Sequence, residues 1–520
     1  MTHRLIRRHQ PLALAVALAL GAGSAHAASI TVTDGGDAGS ASTCTLRQAI
    51  ASSVNDDATG STCVAGSGAD SIDFDASLAN ATITLASGEL QIVGSDVTIN
   101  GSGQTIDGSG ASGDMYIYFS RVNLSNLTLT GGSSTFPGAG IAAINSDVTL
   151  TNSTVSGNTS ASRGGGIASY YYAPGGLVAS RDGAPIVHRN FAGASQGASA
   201  PGGVISRLTM VGSTVSGNTG TSRVGGIFVA QGLLDMTDST VSGNQLNPTA
   251  NFGAGGIYLA KYAQATISSS TISGNTANGG SSYTNMTGGI YQYGAALSMS
   301  NCTVSGNSAS GTGFLAGGMS MSYFTGYGLN TLDVSNSTIA GNNVGSGAPY
   351  STGGLLLGGY SNGSGTLQNT IISGNTGGSD ANLYAYSGGA TAQYSLMGSN
   401  QSGSYSGNGN VFNDNPGLGA LANNGGPTMT MAPQAGSPVI DVGSNALIPG
   451  GVTYDQRGAG FPRIVNTTVD IGSIEYAAAA PIAPFVPVPA SSIWSKGLLG
   501  LLAGLFGMLA MRRRRGSSSA

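Results

Sequence analysis

Ser153-Thr154-Val155-Ser156-Gly157-Asn158 returns, with small changes, at Ser213 to Asn218, Ser239 to Asn244, Ser270 to Asn275, Cys302 to Asn307, Ser337 to Asn342 and Thr370 to Asn375. The closing asparagines are separated by 60, 26, 31, 32, 35 and 33 residues. Self-similarity at such a period marks stacked units, each too small to bury a core alone. The spacing predicts one coil per phrase, with two coils in the first interval. A Gly-Gly-apolar step accompanies the phrase at Gly165-Gly166-Ile167, Gly225-Gly226-Ile227, Gly255-Gly256-Ile257, Gly288-Gly289-Ile290, Gly317-Gly318-Met319 and Gly353-Gly354-Leu355. Between these landmarks apolar and small polar residues alternate, as in Val148-Thr149-Leu150 and Leu297-Ser298-Met299, which is the periodicity of strands.

Short strands that bury one face need neighbours, and coils stacked about 4.8 Å apart give each strand a parallel partner above and below. The expected architecture is all-β, a single-stranded right-handed parallel β-helix. The Asn and Gly of the phrase are expected to take the left-handed backbone of its turns, with the Asn side chains hydrogen-bonding to one another along the axis. A Gly/Ser-rich linker would hold no apolar residue at fixed phase. Val155, Val215, Val241, Ile272, Val304, Ile339 and Ile371 are read as one phase, which excludes it.

The ends speak of export. Arg4, Arg7 and Arg8, an apolar run from Pro11 to Ala22, and Ala25-His26-Ala27 before Ala28 form a secretory signal with a cleavage point between Ala27 and Ala28. At the other end, Ile493-Trp494-Ser495-Lys496 precedes 15 uncharged residues from Gly497 to Met511 and then Arg512, Arg513, Arg514 and Arg515. Residues 493–511 are expected to enter a membrane as a hydrophobic helix, with the arginines at its cytoplasmic end and the solenoid outside. Of 18 basic residues, the leader takes three and the tail five, leaving ten against 22 acidic ones in the mature body. So acidic a body lacks the clustered Lys and Arg of a nucleic-acid binder.

Cysteine use agrees. Cys44 and Cys63 are expected to pair in an oxidising compartment, closing an N-terminal loop. Cys302 stands where other copies have Ser or Thr and reads as a small packed side chain. His188 is the only histidine beyond the leader, so no Cys/His spacing suggests zinc.

Three stretches resemble known families. Cys44-Thr45-Leu46-Arg47-Gln48-Ala49 resembles the CSLREA motif of secreted β-helix proteins, with Thr and Gln replacing Ser and Glu. The resemblance implies a cap, read as a short helix from Leu46 to Ser53 over the open end of the first coil. Asn415 to Leu421, Asn423-Asn424-Gly425-Gly426-Pro427-Thr428, Gly436 to Gly443, Asp455-Gln456-Arg457-Gly458 and Asp470-Ile471-Gly472 together resemble the choice-of-anchor domain of bacterial surface proteins. It implies surface display, and Asp441, Asp455, Arg457 and Asp470 then read as turn-forming and paired residues. Val488-Pro489-Ala490-Ser491-Ser492-Ile493-Trp494, with the apolar stretch and arginines after it, is similar to the IPTL-CTERM sorting signal, although Ala-Ser replaces Thr-Leu. That likeness implies cutting near Pro489 by a membrane protease of the exosortase type. The repeats also resemble those of polymorphic outer-membrane proteins, implying a pectin-lyase-like solenoid.

These signals divide the chain into a leader (1–27), a cap region (28–95), β-helix repeats (96–410) with an irregular insertion (170–203), a choice-of-anchor-like domain (411–476), an Ala/Pro linker (477–490) and a sorting tail (491–520). Many parallel β-helices cleave acidic polysaccharides, using clustered carboxylates or a calcium site with a basic residue. Here Asp147, Asp182, Asp235, Asp238, Asp333 and Asp380 are scattered over different coils, so no catalytic residue is assigned, and a lyase or hydrolase is the alternative reading. Phe228, Tyr258 and Tyr291 each follow a Gly-Gly-Ile step and are expected to face outward as an aromatic ladder. With Arg163 and Arg223, two residues before glycine pairs, they form a candidate groove for an acidic glycan. The alternative is that the rings merely stabilise one another across strands. Gly66-Ser67-Gly68-Ala69-Asp70-Ser71-Ile72 resembles one turn of a calcium nonapeptide, a single copy from which no cofactor is assigned. The insertion carries Tyr170-Tyr171-Tyr172, Arg181, Asp182, His188 and Arg189 and reads as a loop on the side of the rod.

Overall fold

The structure, a computed structural model, describes residues 27–477 apart from residue 59 and the segments 173–205, 249–250, 280–284, 323–329, 346–347, 359–362 and 399–400. Its strands form all-parallel ladders, and the fold is a parallel β-helix. Three ladders make the walls, together with a fourth of two- and three-residue strands that runs from Ser133–Ser134 to Thr376–Gly377. The first includes Ile141–Ile144 and then starts after each Gly-Gly step (Ile167–Tyr170, Ile227–Ala230, Ile257–Ala260, Ile290–Tyr293) and is called the entry face. The broad face follows (Asp147–Thr151, Ser206–Val211, Gly232–Thr237, Gln264–Ser268), and then the phrase face (Thr154–Ser156, Thr214–Ser216, Thr240–Ser242, Thr271–Ser273). Stacking on the broad face begins at Ser29–Val32, within the cap region.

The register corrects the expected coil count. Val155 pairs directly with Val215, and Leu129 lies on its other side, so the 60-residue interval is one coil from which an insertion departs. The chain leaves after Tyr172, returns by Ser206, and the insertion between lies outside the described residues. Phase corrects the last copy as well. Ile339 pairs with Ile372, while Ile371 falls opposite Thr338, in the column occupied by Thr154, Thr214, Thr240 and Thr271 elsewhere.

Val155, Val215, Val241, Ile272, Val304 and Ile339 are fully buried inside the coils. Beside them runs the asparagine ladder. Asn218 shows its chemistry: its Oδ1 accepts from the N–H and Nδ2 of Asn158 at 3.0 and 3.1 Å, and its Nδ2 donates to Val155 O and to Asn244 Oδ1 at 3.0 and 2.9 Å. The same pattern passes through Asn244, Asn275, Asn307 and Asn342 to Asn375. Every side-chain donor and acceptor is used, which is what permits a column of amides in an apolar core. The left-handed backbone expected of these asparagines falls instead on the preceding glycines, as at Gly217 and Gly274 (φ +62°), and on Asn152, Asn301 and Asn336 just before other copies of the phrase. Hydroxyls form a second column: Ser153 N–H donates to Ser213 Oγ and Ser213 N–H to Ser239 Oγ, each at 3.1 Å. Cys302 fits this column, its buried Sγ against the carbonyls of Ile267 and Ser300.

A helix, α1 (Leu46–Asn55), closes the first coil and runs two residues past its expected end. Thr45 Oγ1 accepts from Gln48 N–H and Gln48 Oε1 accepts from Thr45 N–H, a reciprocal box that satisfies two backbone donors. Cys44 and Cys63 are bonded beside it. At the other end, residues 413–476 form a strap that folds back over the phrase face. Gln456 anchors it, donating through Nε2 to Thr271 Oγ1 at 2.9 Å and accepting from Thr303 Oγ1 at 2.6 Å. Ser473 N–H donates to Thr338 Oγ1, and Ile371 packs on Val439 and Ile471. Thr271, Thr303 and Thr338 are therefore buried, whereas Thr154, Thr214 and Thr240 are half-buried.

Candidate functional site

The entry face positions the candidate ligand residues. Alternation sends Ile227 and Val229 into the coil and Phe228 away from it, and Phe228, Tyr258 and Tyr291 pair in register on successive coils. Their rings lie 5.6 and 5.0 Å apart, centroid to centroid. The ladder is thus formed and faces outward as expected, but it is not an open surface. Phe228, Tyr258 and Tyr291 are only 3%, 3% and 2% exposed.

The cover is an additional short ladder that no part of the sequence reading anticipated: Phe252–Ala254, Asn285–Thr287, Phe314–Ala316 and Ser351–Thr352. It runs just ahead of the Gly-Gly steps. Phe252 lies 6.4 Å from both the Tyr258 and Tyr291 rings and stacks on Tyr293 at 5.8 Å. A signal existed, since Phe252, Asn285, Phe314 and Tyr350 all stand three residues before a glycine pair. The step itself must be glycine, because a Cβ on Gly225 would meet the Gln245 carbonyl oxygen at 2.5 Å.

Arg163 and Arg223 flank this aromatic block on adjacent coils. The Arg163 guanidinium lies 5.5 Å from the Phe228 centroid and that of Arg223 3.5 Å from Phe252, both within cation–π range. Arg223 Nη1 is buried without a hydrogen-bond partner. Burial holds the Arg223 pKa below its ordinary value, and the like charge of Arg163 adds to it. Burial likewise raises the phenols of Tyr258 and Tyr291, so both rings are neutral donors. What remains accessible is a ledge formed by Arg163, Arg223, Phe252 and Tyr293, with Tyr170 at its edge, 6.3 Å from Phe228. The insertion leaves the coil two residues after Tyr170.

The acids lie elsewhere. Asp96, Arg121, Asp147 and Arg207 stack in register on the broad face as a ladder of alternating charge, with Arg121 and Asp96 2.9 Å apart. Asp455 is paired with Arg457, and Asp470 accepts from the N–H groups of Asp441 and Tyr476 within the strap. Asp70, in the stretch resembling a calcium turn, binds backbone N–H groups of Ala28 and Ser67. Among the described residues no group of three or more His, Cys, Asp or Glu could hold a metal ion, and no helix is long and apolar enough to cross a membrane. The expected leader up to His26, the expected sorting residues Pro489, Trp494 and Arg512 to Arg515, and the expected membrane segment 493–511 lie outside the described residues. The chain matches no family model and no curated protein.

Proposed function

We propose that this chain is an exported rod, displayed at the cell surface, that adheres through the arginine–aromatic ledge to an acidic polysaccharide. One observation carries the reading: in a body with an excess of acids, two arginines sit side by side on aromatic rings with no carboxylate paired to either among the described residues. Exposed ring edges offer apolar contact to sugar faces, and guanidinium groups bind carboxylates in a forked geometry. The interior supports the role, since its ladders make a stiff scaffold while the outward columns of the phrase hold almost no acid–base chemistry. Display rests on the leader, the strap and the tail, with a sorting protease of the exosortase type acting near Pro489 to release or re-anchor the body.

The test is retention of the exported protein on immobilised acidic and neutral polysaccharides, with an assay for new reducing or unsaturated ends. The expected result is retention on acidic glycans, weakened by salt, with no products. Cleavage products would establish a lyase or hydrolase instead, and equal retention on neutral glycans would remove the arginines from the account.

A further inference from the structure

At the opposite end of the rod, the Ala28 nitrogen lies 3.0 Å from Asp70 Oδ1, which also accepts from Ser67 N–H at 2.9 Å. Asp70 is 2% exposed, and its Oδ2 is buried with no hydrogen-bond partner. A buried carboxylate with one oxygen unsatisfied is costly unless a cation or further donors reach it. As a peptide nitrogen, Ala28 supplies one hydrogen and no charge. Its surroundings are nonetheless built around it. Ala28 O accepts from Ser71 N–H at 2.8 Å, and Ser29–Val32 pairs residue for residue with Ser71–Phe74. Ile30 and Val32 are fully buried beneath α1 and the first coils.

The residue facing Asp70 is also the one that follows Ala25-His26-Ala27. We infer that hydrolysis of the Ala27–Ala28 bond completes the N-terminal cap, because the ammonium it creates at Ala28 forms a partly buried ion pair with Asp70. Water adds across the amide, leaving a carboxylate on Ala27 and a protonated amine on Ala28. That amine carries three hydrogens and a positive charge where the peptide had one hydrogen and none. The inference rests on the leader reading but not on the ledge, and it makes export processing a step in folding: cleavage adds a charge-assisted bond to a first strand that is already paired.

The test uses the full chain exported from a bacterial host. Intact mass of the mature protein is expected to begin at Ala28. Its α-amine should then react with acetic anhydride at neutral pH about tenfold more slowly than that of an Asp70→Asn variant, the effect of about one unit in the amine's pKa. A variant with Gly-Ser inserted between Ala27 and Ala28 keeps Asp70 but moves the ammonium away. Its amine should react at the rate of an unstructured terminus, and the amides of Ser29–Val32 should exchange with deuterium about tenfold faster. This second arm reads the pair even where Asp70→Asn fails to fold. A mature chain beginning elsewhere would overturn the inference, as would an Ala28 amine as reactive as that of the inserted variant.

Discussion

Two columns run along this rod, an inner one of asparagines and an outer one of aromatics, and they are built on opposite rules. The inner column uses one residue type at one position, from Asn158 to Asn375, and each amide it contains is saturated by its neighbours. The outer column varies along the rod, with Ala168, Phe228, Tyr258, Tyr291 and Ser320 in register, and beside it lies a buried guanidinium nitrogen of Arg223 with no hydrogen-bond partner among the described residues. Repetition is kept where the chemistry must close on itself. It is abandoned on the outer face, where Arg223 Nη1 is left without a hydrogen-bond partner among the described residues.

The sharpest way to break this contrast is Asn275→Ala. It removes the acceptor of Asn244 N–H and Nδ2 and the donor to Val241 O and Asn307 Oδ1, leaving their partners buried. The loss should be on the order of 4 kcal/mol, read as a lower midpoint of urea unfolding. Gln456→Ala addresses the polar contact between strap and solenoid. It removes one partner each from Thr271 and Thr303 and should cost about 2 kcal/mol, appearing mainly as faster deuterium exchange in residues 426–476.

Asp114 is an interior group that repetition failed to close. It stands at the second-glycine position of a Gly-Gly-apolar step, since Met115 pairs with Ile141, and neither of its carboxylate oxygens has a hydrogen-bond partner. The nearby Gly108 N–H, which lowers the pKa, already donates to Thr130 O. Burial pushes Asp114 up to about 9 from an ordinary value of 3.8. The folded chain therefore holds a proton that the unfolded chain has released once pH exceeds about 4. Stability should fall by up to about 1.4 kcal/mol per pH unit between those two values, and Asp114→Asn should remove that share of the slope. Denaturation midpoints of both proteins from pH 5 to 8 isolate it from the other acids.

What the sequence made legible follows the same division. The coils, the inward phase of Val155 and its kin, and the axial asparagine bonds all repeat, so counting finds them. The count misled at the 60-residue interval, because an insertion and a whole coil have similar lengths. It misled at Ile371, because an apolar residue entered the threonine column to meet Val439 and Ile471 of the strap. The ledge was half legible. Phe228, Tyr258, Tyr291, Arg163 and Arg223 do converge, but Phe252 covers them from a column that shares a phase without sharing a residue type. Nor could periodicity place Gln456 on Thr271, a contact between polar side chains 185 positions apart.

The smallest effect bears most directly on the outer column. Arg223→Ala removes an unpaired guanidinium and its contact with Phe252 but no hydrogen bond, so stability should change by less than about 1 kcal/mol. Affinity for whichever acidic polysaccharide retains the parent protein should fall about fivefold to tenfold, with a weaker dependence on salt. Arg223→Lys keeps the charge but not the planar fork, and should recover only part of that loss. Were Arg223→Ala instead to lower the denaturation midpoint as much as Asn275→Ala while binding stayed the same, the outer column would be scaffold like the inner one. The aromatic rings would then serve only one another, and the site of adhesion would have to be sought elsewhere on the rod.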